Sequence, residues 1–158
     1  MMPQIQPSNW SCLATSFAIV LDIPVSEVFE YVGHDGSEYV PQFLHLPEPY
    51  NRRGHHIQEM IKLASLMMYS VTPFEAGPNS VSRNSERFVI PGDWPQLVWE
   101  QIQSSEGVVV GRTLSGADHA IAVSHGIVVN PSGKPIDLKT GFYIDTYWRL
   151  IKSNSDSF

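Results

Sequence analysis

The sequence predicts an α+β fold in which N-terminal helices pack on a C-terminal antiparallel β-sheet. Before residue 105, several stretches carry apolar residues at helical spacing. From Gly107 onward the pattern changes to continuous β-branched runs that are typical of buried strands. His125 and Gly126 separate two of these runs and fit a two-residue hairpin turn. Because helices and strands are segregated along the chain, the α+β class is favoured.

Local signals place four helices in the first part of the chain. The apolar run after Ser11 keeps helical spacing up to Leu21 and stops before Pro24. Ser26 can cap a second helix, which Gly33 ends. The helices are therefore expected at residues 11–21 and 26–32, after Gly54, and from Asp93-Trp94-Pro95 to about Ser104.

Strands are expected where β-branched and aromatic residues cluster between turn signals. The aromatic segment from Phe142 to Ile151 fits a strand or a short helix, and we expect a helix with Asp145 near its start. Residues 34–54 and 75–93 are rich in turn-forming residues and are expected to be long loops. The strands are expected at residues 68–74, 107–112, 118–123 and 127–130, with a short one at 87–90.

Composition excludes several function classes. A chain of 158 residues, 42% hydrophobic and 16% charged, is expected to form one globular domain over residues 1–152, with a polar tail at 153–158. The net charge of −6 argues against binding to nucleic acid or to an anionic membrane, because both need basic patches. Arg52-Arg53 is too short a basic cluster to change this expectation.

Cysteine use and hydropathy predict a cytoplasmic protein. The single cysteine cannot form an internal disulfide, so the chain does not require an oxidising compartment. The first residues lack the basic and apolar regions of a secretory signal. No apolar stretch approaches the roughly 18 residues of a membrane-spanning helix.

Cys12 is the candidate nucleophile. It follows the turn-prone stretch Gln6–Ser11 and stands at the predicted start of the first helix. Backbone N–H groups at a helix start lack intrahelical partners, and together with the helix dipole they favour a thiolate, the reactive form of cysteine. The alternative is a small buried hydrophobic residue, since free cysteine is often buried.

His119 and Asn130 are the candidate base and its orienting residue. A two-residue turn at His125-Gly126 would pair Ser124 with Ile127 in a hairpin. His119 and Asn130 then lie diagonally on one face, roughly 7–8 Å apart at the backbone, so Asn130 can accept a hydrogen bond from the imidazole. The alternatives are a histidine satisfied within the sheet and an asparagine that merely ends a strand before Pro131.

Gln6 and Trp10 are weaker candidates close to Cys12. A glutamine amide on the segment entering the helix can donate to an oxyanion formed at the cysteine, with the Cys12 N–H as a second donor. Gln4 lies nearby, and Gln6 taken alone fits an ordinary loop residue better than a catalytic one. Trp10 can form a wall of a substrate pocket or can pack in the core.

The order Gln6, Cys12-Leu13-Ala14, His119 and Asn130-Pro131 resembles that of papain-like cysteine peptidases, closest in style to the C39-like bacterial and phage branch. The resemblance covers about a third of the chain in two blocks and leaves residues 34–106 unassigned. Ser11-Cys12-Leu13 replaces the Asp-Cys-Gly frequent in C39-like enzymes, and Asn130 is the papain-type choice where those enzymes usually have aspartate.

This resemblance implies a minimal papain-like fold with the nucleophile at the start of the first helix. It implies Gln6 as oxyanion donor, Cys12 as nucleophile, His119 as general base and acid, and Asn130 as the residue that orients His119. A peptide or protein would be the substrate, without a cofactor or metal. The same residues could support acyl transfer or protein deamidation, or the site could be idle in a peptide-binding or inhibitor module.

Overall fold

The computed structural model describes residues 1–76 and 94–153, which form helices packed on a five-stranded antiparallel sheet. This confirms the predicted α+β class. The helices are α1 (Cys12–Leu21), α2 (Val25–Val32), α3 (Ile57–Leu66) and α4 (Gln96–Ser104), with a 3-10 turn at Pro41–Phe43. The strands are β1 (Tyr69–Glu75), β2 (Glu106–Thr113), β3 (Asp118–Ser124), β4 (Ile127–Val129) and β5 (Phe142–Lys152).

The helices begin and end close to the expected positions. α1 is buried along almost its whole length and ends at Asp22, which has a left-handed conformation (φ 61°). α2 begins at Val25, close to the expected start near Ser26, but the capping role expected for Ser26 is wrong, because Pro24 stands at the N-cap and makes no side-chain cap hydrogen bond. α3 begins with a capping box formed by His56 and Glu59.

The sheet has the strand order β1-β5-β2-β3-β4, and every pair is antiparallel. The helix expected over Phe142–Ile151 is wrong, because this segment is β5 and pairs with β1 on one side and with β2 on the other. Its aromatic and β-branched residues suit a strand buried on both faces, which local spacing alone did not distinguish from a helix. β1 is an edge strand, and this position tolerates Pro73 inside it.

The β3–β4 hairpin has the predicted register. His125 (φ 50°) and Gly126 (φ 81°) both adopt positive φ, as a type I′ turn requires. Ser124 pairs with Ile127, and Ala122 pairs with Val129. This register brings the start of β3 and the residue after β4 to the same end of the sheet.

The core has two layers, one on each face of the sheet. α1, α2 and α3 cover the face that carries Ala120 and Ala122 of β3. α4 covers the opposite face, which carries Ile121 and Val123. α1 therefore lies directly against β3, and this packing sets the position of Cys12.

The long loop over residues 34–54 is held by backbone hydrogen bonds. Tyr39 and Arg52 form a β-bridge, and the Arg53 N–H donates to the Glu38 carbonyl at 2.7 Å. The strand expected at 87–90 and residues 154–158 of the expected tail lie outside the described residues. The Ser153 N–H donates to the Met68 carbonyl.

Candidate active site

Cys12 is the first residue of α1 and is partly buried. The preceding Ser11 does not cap the helix, because its hydroxyl donates to the Ser8 carbonyl at 2.9 Å and accepts the Ser8 N–H at 3.1 Å. The Ser11 side chain thus stabilises the turn before the helix. The amide groups of Cys12 and Leu13 remain directed at the thiol.

The sulfur of Cys12 also meets the backbone amide of Ala120. That nitrogen belongs to the peptide group that joins His119 to Ala120. The thiol therefore lies beside the backbone of His119. Packing of α1 on β3 brings together two residues that are far apart in sequence.

The thiol is protonated at neutral pH. Burial raises the pKa of Cys12 above its ordinary 9.0, and the negative charge of Asp118 acts in the same direction. The amides of Ala120, Leu13 and Cys12 oppose this rise in pKa without cancelling it. The expectation that the helix start favours a thiolate is therefore incomplete, because burial against β3 outweighs the effect of the amides. A neutral thiol needs a base to become nucleophilic.

His119 has a defined orientation and protonation. Its Nε2 lies 2.7 Å from Asn130 Oδ1. The same oxygen accepts the Ser132 N–H at 3.1 Å, while Asn130 Nδ2 donates to the Lys134 carbonyl at 2.8 Å. These contacts fix which end of the amide is oxygen, so Nε2 of His119 must carry the proton. The unprotonated ring nitrogen is then Nδ1, which is the atom that can accept a proton.

The environment of His119 keeps it neutral. Burial lowers the pKa of His119 below its ordinary 6.5, and the hydrogen bond that its ring donates to Asn130 only partly opposes this. At neutral pH the ring is consequently a free base. A protonated thiol is a proton donor and a neutral imidazole is a proton acceptor, and general-base activation of a thiol requires this pair of protonation states.

Gln6 lies in the cleft that opens beside His119. Its backbone N–H donates to the Pro131 carbonyl at 2.8 Å, which ties the N-terminal segment to the residue after Asn130. Its side-chain oxygen is buried and has no hydrogen-bond partner among the described residues. Gln4 differs, because its amide bonds both the Ile23 carbonyl and the Val25 N–H. Of the two glutamines, Gln6 is the one whose side-chain oxygen has no partner among the described residues, whereas both side-chain polar atoms of Gln4 are engaged.

The cleft has a volume of about 430 Å³ and includes residues that sequence reasoning missed. Pro49 and Tyr50 of the 34–54 loop line it together with Gln6 and His119. Lys134 and Asp118 line it as well and place charges of both signs near the imidazole. No local sequence signal identified Pro49 and Tyr50, since only the folded loop brings them to the cleft.

Trp10 does not line this cleft in the structure. The Arg52 guanidinium lies 4.6 Å from the centre of the Trp10 ring and 3.8 Å from that of Tyr39. Arg52 also donates to the Ser37 carbonyl at 2.8 Å. These contacts tie the 34–54 loop to the turn before Cys12. Substrate binding by Trp10 stays a prediction.

A second group of histidines lies away from the cleft. The rings of His34 and His55 stack at 4.6 Å, and His34 Nε2 lies 2.6 Å from a carboxylate oxygen of Glu59. His56 caps α3. Within residues 1–76 and 94–153, no group of three or more His, Cys, Asp or Glu side chains is arranged to hold a metal ion.

In the described part of the chain no single helix is long and apolar enough to cross a bilayer. α1 and α2 reach that composition only as a pair bent by 111°, and α1 is buried in the core.

The chain matches no protein-family model and no curated protein sequence.

Proposed function

We propose that this protein is a cysteine peptidase or related thiol hydrolase that cleaves a peptide or isopeptide bond. The observation that carries the proposal is the His119–Asn130 pair, whose hydrogen bonds leave Nδ1 of His119 unprotonated. Cys12 lies beside the His119–Ala120 peptide group. A nucleophile, a base and an orienting acceptor are the minimum that such a reaction needs.

The proposed reaction begins when the Cys12 thiol proton moves to Nδ1 of His119 and the sulfur attacks the substrate carbonyl. The Cys12 N–H and the side-chain amide of Gln6 stabilise the resulting oxyanion. Asn130 holds the imidazolium through Nε2. His119 then gives the proton to the leaving amine, the C–N bond breaks and a thioester remains. Water, deprotonated by His119, hydrolyses the thioester and restores the thiol.

The papain-like assignment, with its C39-like bacterial and phage branch, is part of this proposal. It is supported by the chain order of Gln6, Cys12, His119 and Asn130 and by the position of Cys12 at the start of α1. We also propose that the protein acts in the cytoplasm, because a free thiol nucleophile stays reduced there.

The test is incubation of the full chain with a diverse peptide mixture, followed by mass spectrometry. New peptide fragments that appear with the wild-type protein, but not with Cys12→Ser or His119→Ala, would support hydrolysis. His45→Ala is the matched control, since His45 is exposed and lies outside the cleft. Joined peptides would instead indicate acyl transfer, and a small mass gain on glutamine without a break would indicate deamidation. Unchanged peptides would contradict the proposal.

A further inference from the structure

Two polar contacts link α1 to a single residue of β3. The Ser16 hydroxyl donates to the Ala120 carbonyl at 3.0 Å in a fully buried hydrogen bond. The Cys12 sulfur meets the amide of the same residue. Cys12 and Ser16 are four residues apart, so they lie on one face of α1 one turn apart. α1 therefore holds both polar groups of the Ala120 backbone.

The sheet leaves these groups of Ala120 available to the helix. In an antiparallel strand the N–H and C=O of one residue point toward the same side. β4 ends at Val129, which pairs with Ala122, so the strand stops before it reaches Ala120. Side chains of α1 take the place of a neighbouring strand at this position. A buried carbonyl here needs a donor, and Ser16 supplies it.

We propose that Ser16 is a positioning residue, which fixes Cys12 relative to His119 by anchoring α1 to the carbonyl of the residue that follows His119. This inference rests on the proposed thiol hydrolase function. Ser16 lies on the same helix as the nucleophile, and Ala120 is bonded directly to the proposed base. Loss of the anchor would let α1 shift along β3. A shift of about 1 Å at reacting groups can cost about 10²-fold in rate.

Thr15 provides a matched control on the same helix. It is fully buried like Ser16, but its hydroxyl has no hydrogen-bond partner among the described residues. Thr15→Val keeps the shape of the side chain and removes no hydrogen bond. Ser16→Ala removes the donor to Ala120. The comparison separates loss of the anchor from a general effect of changing a buried polar residue.

The test measures alkylation of Cys12 by iodoacetamide at pH 7 in the full-length protein, with thermal unfolding recorded for every variant. We expect Ser16→Ala to slow alkylation about tenfold or more, toward the rate of His119→Ala, and Thr15→Val to retain the wild-type rate. Ser16→Cys, nearly isosteric but with a weak donor, serves if Ser16→Ala does not fold. Peptide fragmentation then identifies the labelled cysteine.

The alkylation rates of these variants decide whether Ser16 positions Cys12. Slow alkylation in the Ser16 variant together with a wild-type rate in Thr15→Val supports the anchor. A wild-type rate in the Ser16 variant while His119→Ala is slow overturns the positioning role and leaves the proposed function standing. Equal rates in the wild type, the Ser16 variant and His119→Ala overturn the proposed function and the inference together.

Discussion

The Nε2 atom of His119 donates to Oδ1 of Asn130 across 2.7 Å at the end of the β3–β4 hairpin. Because Asn130 also bonds Ser132 N–H and the Lys134 carbonyl, its amide cannot turn over without losing both contacts. The imidazole is thus held with Nδ1 as its basic atom. The pH dependence of the site therefore tests directly whether His119 acts as the base.

We expect Asn130→Asp to raise the pKa of His119. Burial lowers that pKa below 6.5 in the wild type, so activity should be lost only as the pH falls below 6.5. A carboxylate at position 130 stabilises the imidazolium and should move this acidic limb upward by about one pH unit or more. Titration of the His119 ring by NMR measures the shift.

Asn9→Asp is the control for this substitution. Asn9 lines the same cleft, and the change adds an equal charge. A smaller shift than that of Asn130→Asp is expected, because the described residues show the ring hydrogen-bonded to Asn130 and not to Asn9. Equal shifts in the two variants would mean that the Asn130 hydrogen bond does not govern His119.

We expect Gln6→Ala to slow peptide hydrolysis about 10²- to 10³-fold, as removal of an oxyanion donor does. The same change should leave alkylation of Cys12 by iodoacetamide almost unchanged, because displacement of iodide forms no oxyanion. Gln58→Ala, on the exposed face of α3, is the matched control. A parallel loss of both rates would assign Gln6 a structural role.

We expect Gly111→Ala to destabilise the sheet. Gly111 of β2 lies opposite His119 of β3, and an added Cβ would collide with the Tyr143 carbonyl and lie 2.8 Å from the Phe142 ring. Overpacking of this kind costs about 1–3 kcal/mol or more. Chemical denaturation measures the resulting decrease in the free energy of unfolding.

Gly116→Ala is the comparison for this prediction. Gly116 has φ +89° but open space around it, so only the conformational cost of about 1 kcal/mol applies. If the two variants lost equal stability, the close packing inferred around Gly111 would be wrong.

We expect part of the stability to be lost in acid through Glu59. Burial alone would raise the pKa of Glu59, but the His56 N–H and the His34 ring hold it below 4.5. A lowered carboxyl pKa stabilises the fold above pH 4.5, and this contribution disappears as the pH falls through the folded-state pKa. Glu59→Gln can keep the capping box while removing the charge.

Urea unfolding at pH 3 and pH 6 measures the effect. The difference in the free energy of unfolding between these two pH values should be smaller in Glu59→Gln than in the wild type. Glu30→Gln, at an exposed position of α2, should retain the wild-type difference. An unchanged difference in Glu59→Gln would show that other groups control acid stability.

Local signals were sufficient to predict the fold class and the hairpin that carries the candidate site. A two-residue turn at His125-Gly126 fixes register, and register alone decides that His119 and Asn130 share a face. β5 was missed because its aromatic run has no decisive spacing, and its conformation depends on pairing with β1 and β2, which are distant in sequence.

The pKa of Cys12 and the lining of the cleft were harder to predict from sequence than the identity of the candidate site residues. A helix start suggested a lowered pKa for Cys12, whereas packing of α1 on β3 buries the sulfur and raises that pKa. Tyr50 reaches the cleft only because the 34–54 loop folds back on itself. Both features come from contacts between segments far apart in the chain, which spacing and composition do not encode.

The pH profile of Cys12 alkylation by iodoacetamide, in the wild type and in His119→Ala, tests the central claim most directly. Transfer of the thiol proton to His119 should give the wild type a plateau of reactivity that begins below pH 6.5 and extends above pH 9.0. His119→Ala should lack the plateau, its rate falling about tenfold per pH unit below the thiol pKa. Superimposable single-titration curves would contradict base catalysis by His119.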